Sequence, residues 1–241
     1  CANYSAFGVT MDGAFAEYLR VPAAAILQGN LFPLEAGVDP VVAALIEPFA
    51  CVLRGQNAVD VRVGDVVVVV GAGPIGLMHL LLAKLRGAAH VIVSEMIPER
   101  LEQARAFGAD SAVTPDQLRD TVNAASQNEG ADVVIVAAPA HKAMEDAVNI
   151  AGIGGRINFF GGLPKDRPTI TLDANIVHYK ELRVTGTTAC STQDCRQAAA
   201  IVNSRRIDLS PLVSARYPLA DAVEAFRIAE DRKSLKVVLQ P

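Results

Sequence analysis

The sequence predicts an α/β fold, a doubly wound parallel sheet, on three observations. From Gly71 onward, apolar strand-like runs alternate with helix-like runs, the pattern of a parallel sheet covered on both faces. The first strand-like run is broken by a glycine turn, GAGPIG, after which a run of helical composition resumes. The chain has 241 residues, 51% hydrophobic and 20% charged, a globular balance that fits one large domain or two of ordinary size.

The elements follow in order. Asp12 to Pro22, DGAFAEYLRVP, has β character with no helix after it and is expected in an antiparallel or barrel-like region. Val66 to Leu85, VVVVVGAGPIGLMHLLLAKL, is long enough for a membrane span, but its glycines and proline make it a buried strand, a tight turn and a buried helix. VIVSE, Val91 to Glu95, is the next strand. It precedes PERLEQARAFG, in which Pro98 suits a first helical turn and Gly108 a stop. Ala131 to Ala138 is a strand before the helix of HKAMEDAVNI; Arg156 to Phe160 and Glu181 to Gly186 close the series. Ser191 and Asp194 have capping-box spacing for a helix to about Arg205, and the tail adds a helix and a final strand.

Composition excludes some classes of function. The formal charge of −4 comes from interspersed acids and bases, with no basic stripe to follow a phosphate backbone, so nucleic acid is not an expected partner. Cys1, Cys51, Cys190 and Cys195 form no CxxC pair, and reduced thiols are expected. With no basic, apolar, cleavable leader, the expected location is the cytoplasm, and no membrane partner is expected. His79, His90, His141 and His178 lack HxxxH or HxxE pairing and read as packing or capping residues.

GAGPIG places Gly71, Gly73 and Gly76 in GxGxxG spacing, with Pro74 and Ile75 opening the helix. The first glycine permits the tight turn, the second lets a pyrophosphate approach the backbone, and the third lets helix pack on strand. Amides at that helix N-terminus attract phosphate. Glu95 ends the second strand, 22 positions after Gly73, where a carboxylate bonds the adenosine ribose and repels a 2′-phosphate. This is a Rossmann dinucleotide site, and it favours NAD over NADP. Arg100, one turn further on, is placed to pair with Glu95 or to cover the adenine.

Glu47 is the one charge between Asp39 and Arg54. A carboxylate in a run that becomes a buried element must be hydrogen-bonded, paired or metal-bound. A salt bridge or an exposed Glu-Pro hinge would also account for it.

DGAFAEYLRVP, ALIEP, VGDVVVVVGAGPIG, AFGAD (Ala106 to Asp110) and GRINFFGGLP occur in that order. Together they resemble the zinc-dependent medium-chain dehydrogenase/reductases, nearest the sorbitol (polyol) and threonine dehydrogenase branch, over essentially the whole chain. The resemblance implies a partial GroES-like catalytic domain (1–46), a Rossmann domain inserted within it (47–188) and a C-terminal segment returning to it (189–241). It implies NAD and zinc as cofactors and a secondary alcohol as substrate. Glu47 is then the acid beside the catalytic zinc, with a catalytic and metal-binding role, and Cys1 resembles the last of four structural-zinc cysteines. Phe160, Gly161 and Gly162 resemble the turn that meets the nicotinamide, and Thr187 and Thr188 fall near the same ring. The family's first zinc cysteine and Gly-His-Glu motif would precede Cys1. TTACS after Gly186 departs from the aromatic and arginine common in sorbitol dehydrogenases. A homodimer or homotetramer is expected. A zinc-free quinone reductase and a non-catalytic NAD-binding protein remain the alternatives.

Overall fold

β-branched side chains favour extended backbone, and the five valines Val66–Val70 form strand β1, whose first four residues are buried. The computed structural model describes residues 5–13, 15–231 and 234–241. The chain divides into two compact units, 1–45 with 208–241, and 46–207.

The smaller unit contains two short helices, α1 (Ala23–Leu27) and α2 (Pro40–Ala43), the second capped by the Asp39 carboxylate accepting from the Val41 amide. In the larger unit, α3 (Ile46–Ala58) buries Phe49, Ala50, Val52 and Leu53, and Glu47 lies in its first turn. After β1 the chain runs α4 (Pro74–Leu85), β2 (His90–Ser94), α5 (Pro98–Ala106), β3 (Ser111–Val113) and α6 (Leu118–Ala125). It continues through β4 (Ala131–Val136), α7 (His141–Ile150), β5 (Ala151–Phe159), α8 (Ala174–Tyr179), β6 (Arg183–Gly186) and α9 (Thr192–Asn203). The six strands pair in parallel in the order β3-β2-β1-β4-β5-β6, the doubly wound arrangement.

Most of the expected elements form within a residue or two of their sequence positions. The capping box that opens α9 is present, with the Ser191 hydroxyl accepting from the Asp194 amide and the Asp194 carboxylate accepting from the Ser191 amide. The sequence pattern does not announce β3 and α6, because a three-residue strand is too short to show a period. Helix α9 lies in the larger unit and packs on α3, whereas the sequence reading groups residues 189–207 with the returning segment.

The apolar stretch that could pass for a membrane span is here strand, turn and core helix. Val67, Val68 and Val69 of β1 and Leu77, Met78, Leu80 and Leu82 of α4 are buried. Among the described residues, no helix is long and apolar enough to cross a membrane.

The smaller unit is completed by β7 (Val213–Pro218), α10 (Ala222–Glu230) and β8 (Lys236–Gln240), with β7 and β8 parallel. Arg216 pairs with Asp39 at 2.6 Å, and the Phe15 ring meets Phe226 edge-on at 5.4 Å. The β expectation for Asp12 to Pro22 is not met. Its described residues hold no strand, and Phe15 and Tyr18 are exposed. A strand needs a partner's ladder of hydrogen bonds. Nearby, among the described residues, there is one isolated bridge, between Phe7 and Met11.

His79, on the buried face of α4, is wholly enclosed and packs edge-on against the Phe160 ring at 4.7 Å. Gln56 of α3 donates to the His79 carbonyl at 2.7 Å. Burial, with the Arg86 charge adding to it, pushes the imidazole down from an ordinary 6.5 to about 3. Between those values the unfolded chain binds a proton that the folded chain does not. Stability is therefore complete above pH 6.5 and falls as pH drops, by about 1.4 kcal/mol per pH unit at the limit. His79→Leu is expected to lose this acid-side slope, read as urea unfolding free energies at pH 7 and pH 5; an unchanged slope would refute it.

Candidate functional site

The sheet order makes β1 and β4 neighbours while their connections leave in opposite directions, which opens a cleft at the carboxyl ends of the central strands. A cavity of about 740 Å³ lies there, with Val70, Gly71, Ser94, Glu95 and Ala138 in its wall. Gly71 sits at φ +103°, a region in which L side chains are strained. A Cβ on Gly76 would lie 1.8 Å from the Gly71 carbonyl oxygen, so helix and turn touch with no room for a side chain. At Gly73, the N-cap of α4, a Cβ would meet nothing within 4 Å. The turn is therefore closed on its protein side and open where a pyrophosphate would approach the helix N-terminus. Pro74 and Ile75 are the first two residues of α4, Pro74 at the position where a missing amide costs least.

Glu95 follows β2 with both carboxylate oxygens held by backbone. Ala72 donates to Oε2 at 2.9 Å, and Met96 and Ile97 donate to Oε1 at 2.7 and 3.2 Å. Arg100 on α5 comes within 3.9 Å of the same carboxylate. The carboxylate is thereby fixed at the rim of the cleft.

The second cluster forms where β5 and β6 end. The Phe160 and Gly161 amides donate to the Val136 carbonyl at 3.1 and 2.9 Å, folding the turn back over β4. A Cβ on Gly161 would meet Ala138 backbone at 2.8 Å, whereas Gly162 faces open space. The Asn158 side chain donates to the Gly55 carbonyl at 2.9 Å and to the Thr187 hydroxyl at 3.1 Å. It thus joins α3, β5 and the segment after β6. Asn158 was not singled out in the sequence, since one asparagine inside an apolar strand carries no motif. Thr188 is exposed.

Glu47 is exposed. The expectation of a buried carboxylate needing compensation is corrected on this point: Ile46–Ala58 presents one face to solvent, and Glu47 lies on it. Its neighbours are thiols. Cys51, one turn along α3, donates to Glu47 Oε1 at 3.4 Å, and the Cys190 thiol lies 3.8 Å from the same oxygen. Cys195 is 3.4 Å from Cys190, and all three cysteines are free thiols. Burial, reinforced by the Glu47 charge, pushes Cys51 up to about 11. Burial likewise pushes Cys190 and Cys195 up to about 12.

Glu47, Cys51 and Cys190 place their donor atoms within 4.8 Å of one another. A carboxylate with thiols is a donor set that suits zinc, so these residues fit the metal that the resemblance implies. Cys51 lies at i+4 from Glu47, a spacing that puts both on one helix face but that the sequence reading does not use; Cys190 and Cys195 are read there as reduced thiols. The structural-zinc reading of Cys1 lies outside the described residues.

Comparison with known proteins adds the following. A family model described as zinc-binding dehydrogenase matches residues 74–204. L-threonine 3-dehydrogenase of Saccharopolyspora erythraea is 33% identical over 241 residues, covering 99% of this chain and 68% of that protein. A Sinorhizobium meliloti 1021 structure, described as a zinc-binding dehydrogenase bound to NADP, superposes with TM-score 0.89 at 30% identity, covering 100% of this chain and 70% of that one. The alcohol dehydrogenase TADH of Thermus sp. ATN1 superposes with TM-score 0.85 at 27% identity, over 95% of this chain and 66% of that one.

Gly76→Ala is expected to push the turn apart and cost about 1–3 kcal/mol, the usual range for overpacking. Denaturant unfolding measures the loss, and a variant as stable as the parent would contradict the contact described.

Proposed function

The chain belongs to the zinc-binding dehydrogenase family, and from that premise we propose that it oxidises a small secondary alcohol, of the polyol or threonine type, with NAD as hydride acceptor. The observation that carries the cofactor half is Glu95, held by three backbone amides at the rim of the cleft beside the glycine turn. When bound, a zinc ion supplies Lewis-acid polarisation of the alcohol oxygen and NAD supplies the hydride acceptor.

This chain's residues then have separate tasks. Gly71, Gly73 and Gly76, with the first residues of α4, cradle the pyrophosphate. Glu95 accepts from the ribose hydroxyls and disfavours a 2′-phosphate by like-charge repulsion. Arg100, close to that carboxylate, covers the adenine side. The turn at Phe160, Gly161 and Gly162, together with Thr187 and Thr188, orients the nicotinamide. Asn158 holds Thr187 in register with α3. Glu47 offers its carboxylate to the metal, supported by the adjacent thiols. We further propose self-association as a dimer or tetramer, since β6 is an edge strand of the sheet and edges need covering.

The test is isothermal calorimetry with both nucleotides. NAD is expected to bind at least tenfold more tightly than NADP, a difference of about 1.4 kcal/mol, and Glu95→Gln is expected to narrow that gap. Equal or tighter binding of NADP would overturn the reading of Glu95. Secondary-alcohol turnover in the zinc-loaded protein, screened over polyols and threonine, tests the reaction itself.

A further inference from the structure

Gly55 stands inside α3, where a glycine weakens a helix relative to alanine, and it is not among the glycines with positive φ, so backbone conformation does not call for it. The reason is space. A Cβ at Gly55 would lie 2.8 and 3.0 Å from Cδ2 and Cε2 of the Phe160 ring and 3.1 Å from Asn158 Nδ2. Asn158 also donates to the Gly55 carbonyl at 2.9 Å. One position on α3 therefore receives a ring and an amide from the end of β5 and the turn after it.

The ring has little room to retreat. His79 of α4, wholly buried, meets it edge-on with centroids 4.7 Å apart, and Gln56, next to Gly55, donates to the His79 carbonyl at 2.7 Å. Close packing of this kind passes a displacement on instead of absorbing it. Both side chains that rest on Gly55 lead into the cleft. Phe160 begins the turn whose amides donate to the Val136 carbonyl. Asn158 is hydrogen-bonded to the Thr187 hydroxyl through its amide nitrogen at 3.1 Å and its amide oxygen at 3.3 Å. All of these residues belong to the unit formed by 46–207.

On the reading of the Phe160 turn and Thr187 as the nicotinamide side of the cleft, we propose that Gly55 is a positioning residue for the nicotinamide ring. Together with His79 it seats Phe160, and it seats Asn158 directly, so that turn and threonine meet the ring in register. A methyl group at position 55 displaces both by a few tenths of an ångström, enough to misplace a ring that must be aligned for hydride transfer. The adenosine half of the cofactor, at the glycine turn and Glu95, does not depend on Gly55.

The test is Gly55→Ala in the 241-residue chain, read with two probes. ADP-ribose, which lacks the nicotinamide, is titrated by calorimetry and reports the adenosine half and the fold. NADH is titrated by its own fluorescence, which brightens and shifts to shorter wavelength when the reduced ring leaves water. The variant is expected to bind ADP-ribose within about twofold of the parent, to bind NADH about tenfold more weakly and to lose most of the emission shift. In a Phe160→Leu background, which removes the ring that the methyl would strike, Gly55→Ala is expected to weaken NADH binding by no more than about threefold. Unchanged NADH binding and emission in Gly55→Ala, ADP-ribose binding lost in parallel, or an equal loss in both backgrounds would each overturn the proposal alone. A parent chain that binds ADP-ribose but gives NADH no emission shift would remove the reading of the Phe160 turn, and the role of Gly55 with it. One that binds neither probe would remove the nucleotide reading from which both follow.

Discussion

The adjacency of β1 and β4 at the centre of the sheet is the constraint on which the rest of the larger unit depends. Their parallel pairing, Val67 with Val133 through Val70 with Val136, aligns the two strand ends from which the glycine turn and the Ala137–Ala138 segment emerge. Because β2 and β3 lie on one side and β5 and β6 on the other, the chain must leave the centre in both directions. A crevice at the carboxyl edge is the geometric result. Glu95 stands on one side of it and the Phe160 turn on the other, each tied back to the central strands by backbone hydrogen bonds.

Packing around that centre leaves little freedom. Val66–Val69 of β1 and Val133–Val136 of β4 are buried, so these stretches read as continuous apolar runs rather than alternating ones. The cost of an apolar helix such as α4 in water is removed by enclosing it between sheet and α3, with His79 kept neutral in the process. Polar groups in this interior serve as ties between elements. Arg156 of β5 reaches Asp65 at 2.6 Å, both buried, and joins β5 to the entrance of β1. Asn158, two residues along, performs the corresponding task at the other end of the strand.

Most of the sheet and its nucleotide turn was legible in the sequence because each signal is local. GAGPIG, the valine run and Glu95 lie within one strand–turn–helix–strand unit, and the capping box at Ser191 spans four residues. What was not legible depends on distant segments meeting. Cys190 stands 143 residues from Glu47, and neither position reports the other. The apolar character of Ala43 to Arg54 suggested a buried element, yet a helix buries one face, and Glu47 belongs to the other. Asp12 to Pro22 has strand-forming residues without a neighbouring strand to pair with, and propensity alone does not supply one.

The Arg54–Asp194 contact also bears on the order of folding. Its two residues are 140 positions apart, so the contact ties the helix made before the first strand to the helix made after the last. Closing so long a loop is entropically costly and slow, and it becomes favourable once the intervening strands have docked. The side chains of Glu47, Cys51 and Cys190, which stand on the same two segments, are therefore brought together by that closure. An early chain has these groups scattered and a finished one has them together, so the contact between the two outer helices would report that the six-stranded sheet between them is complete.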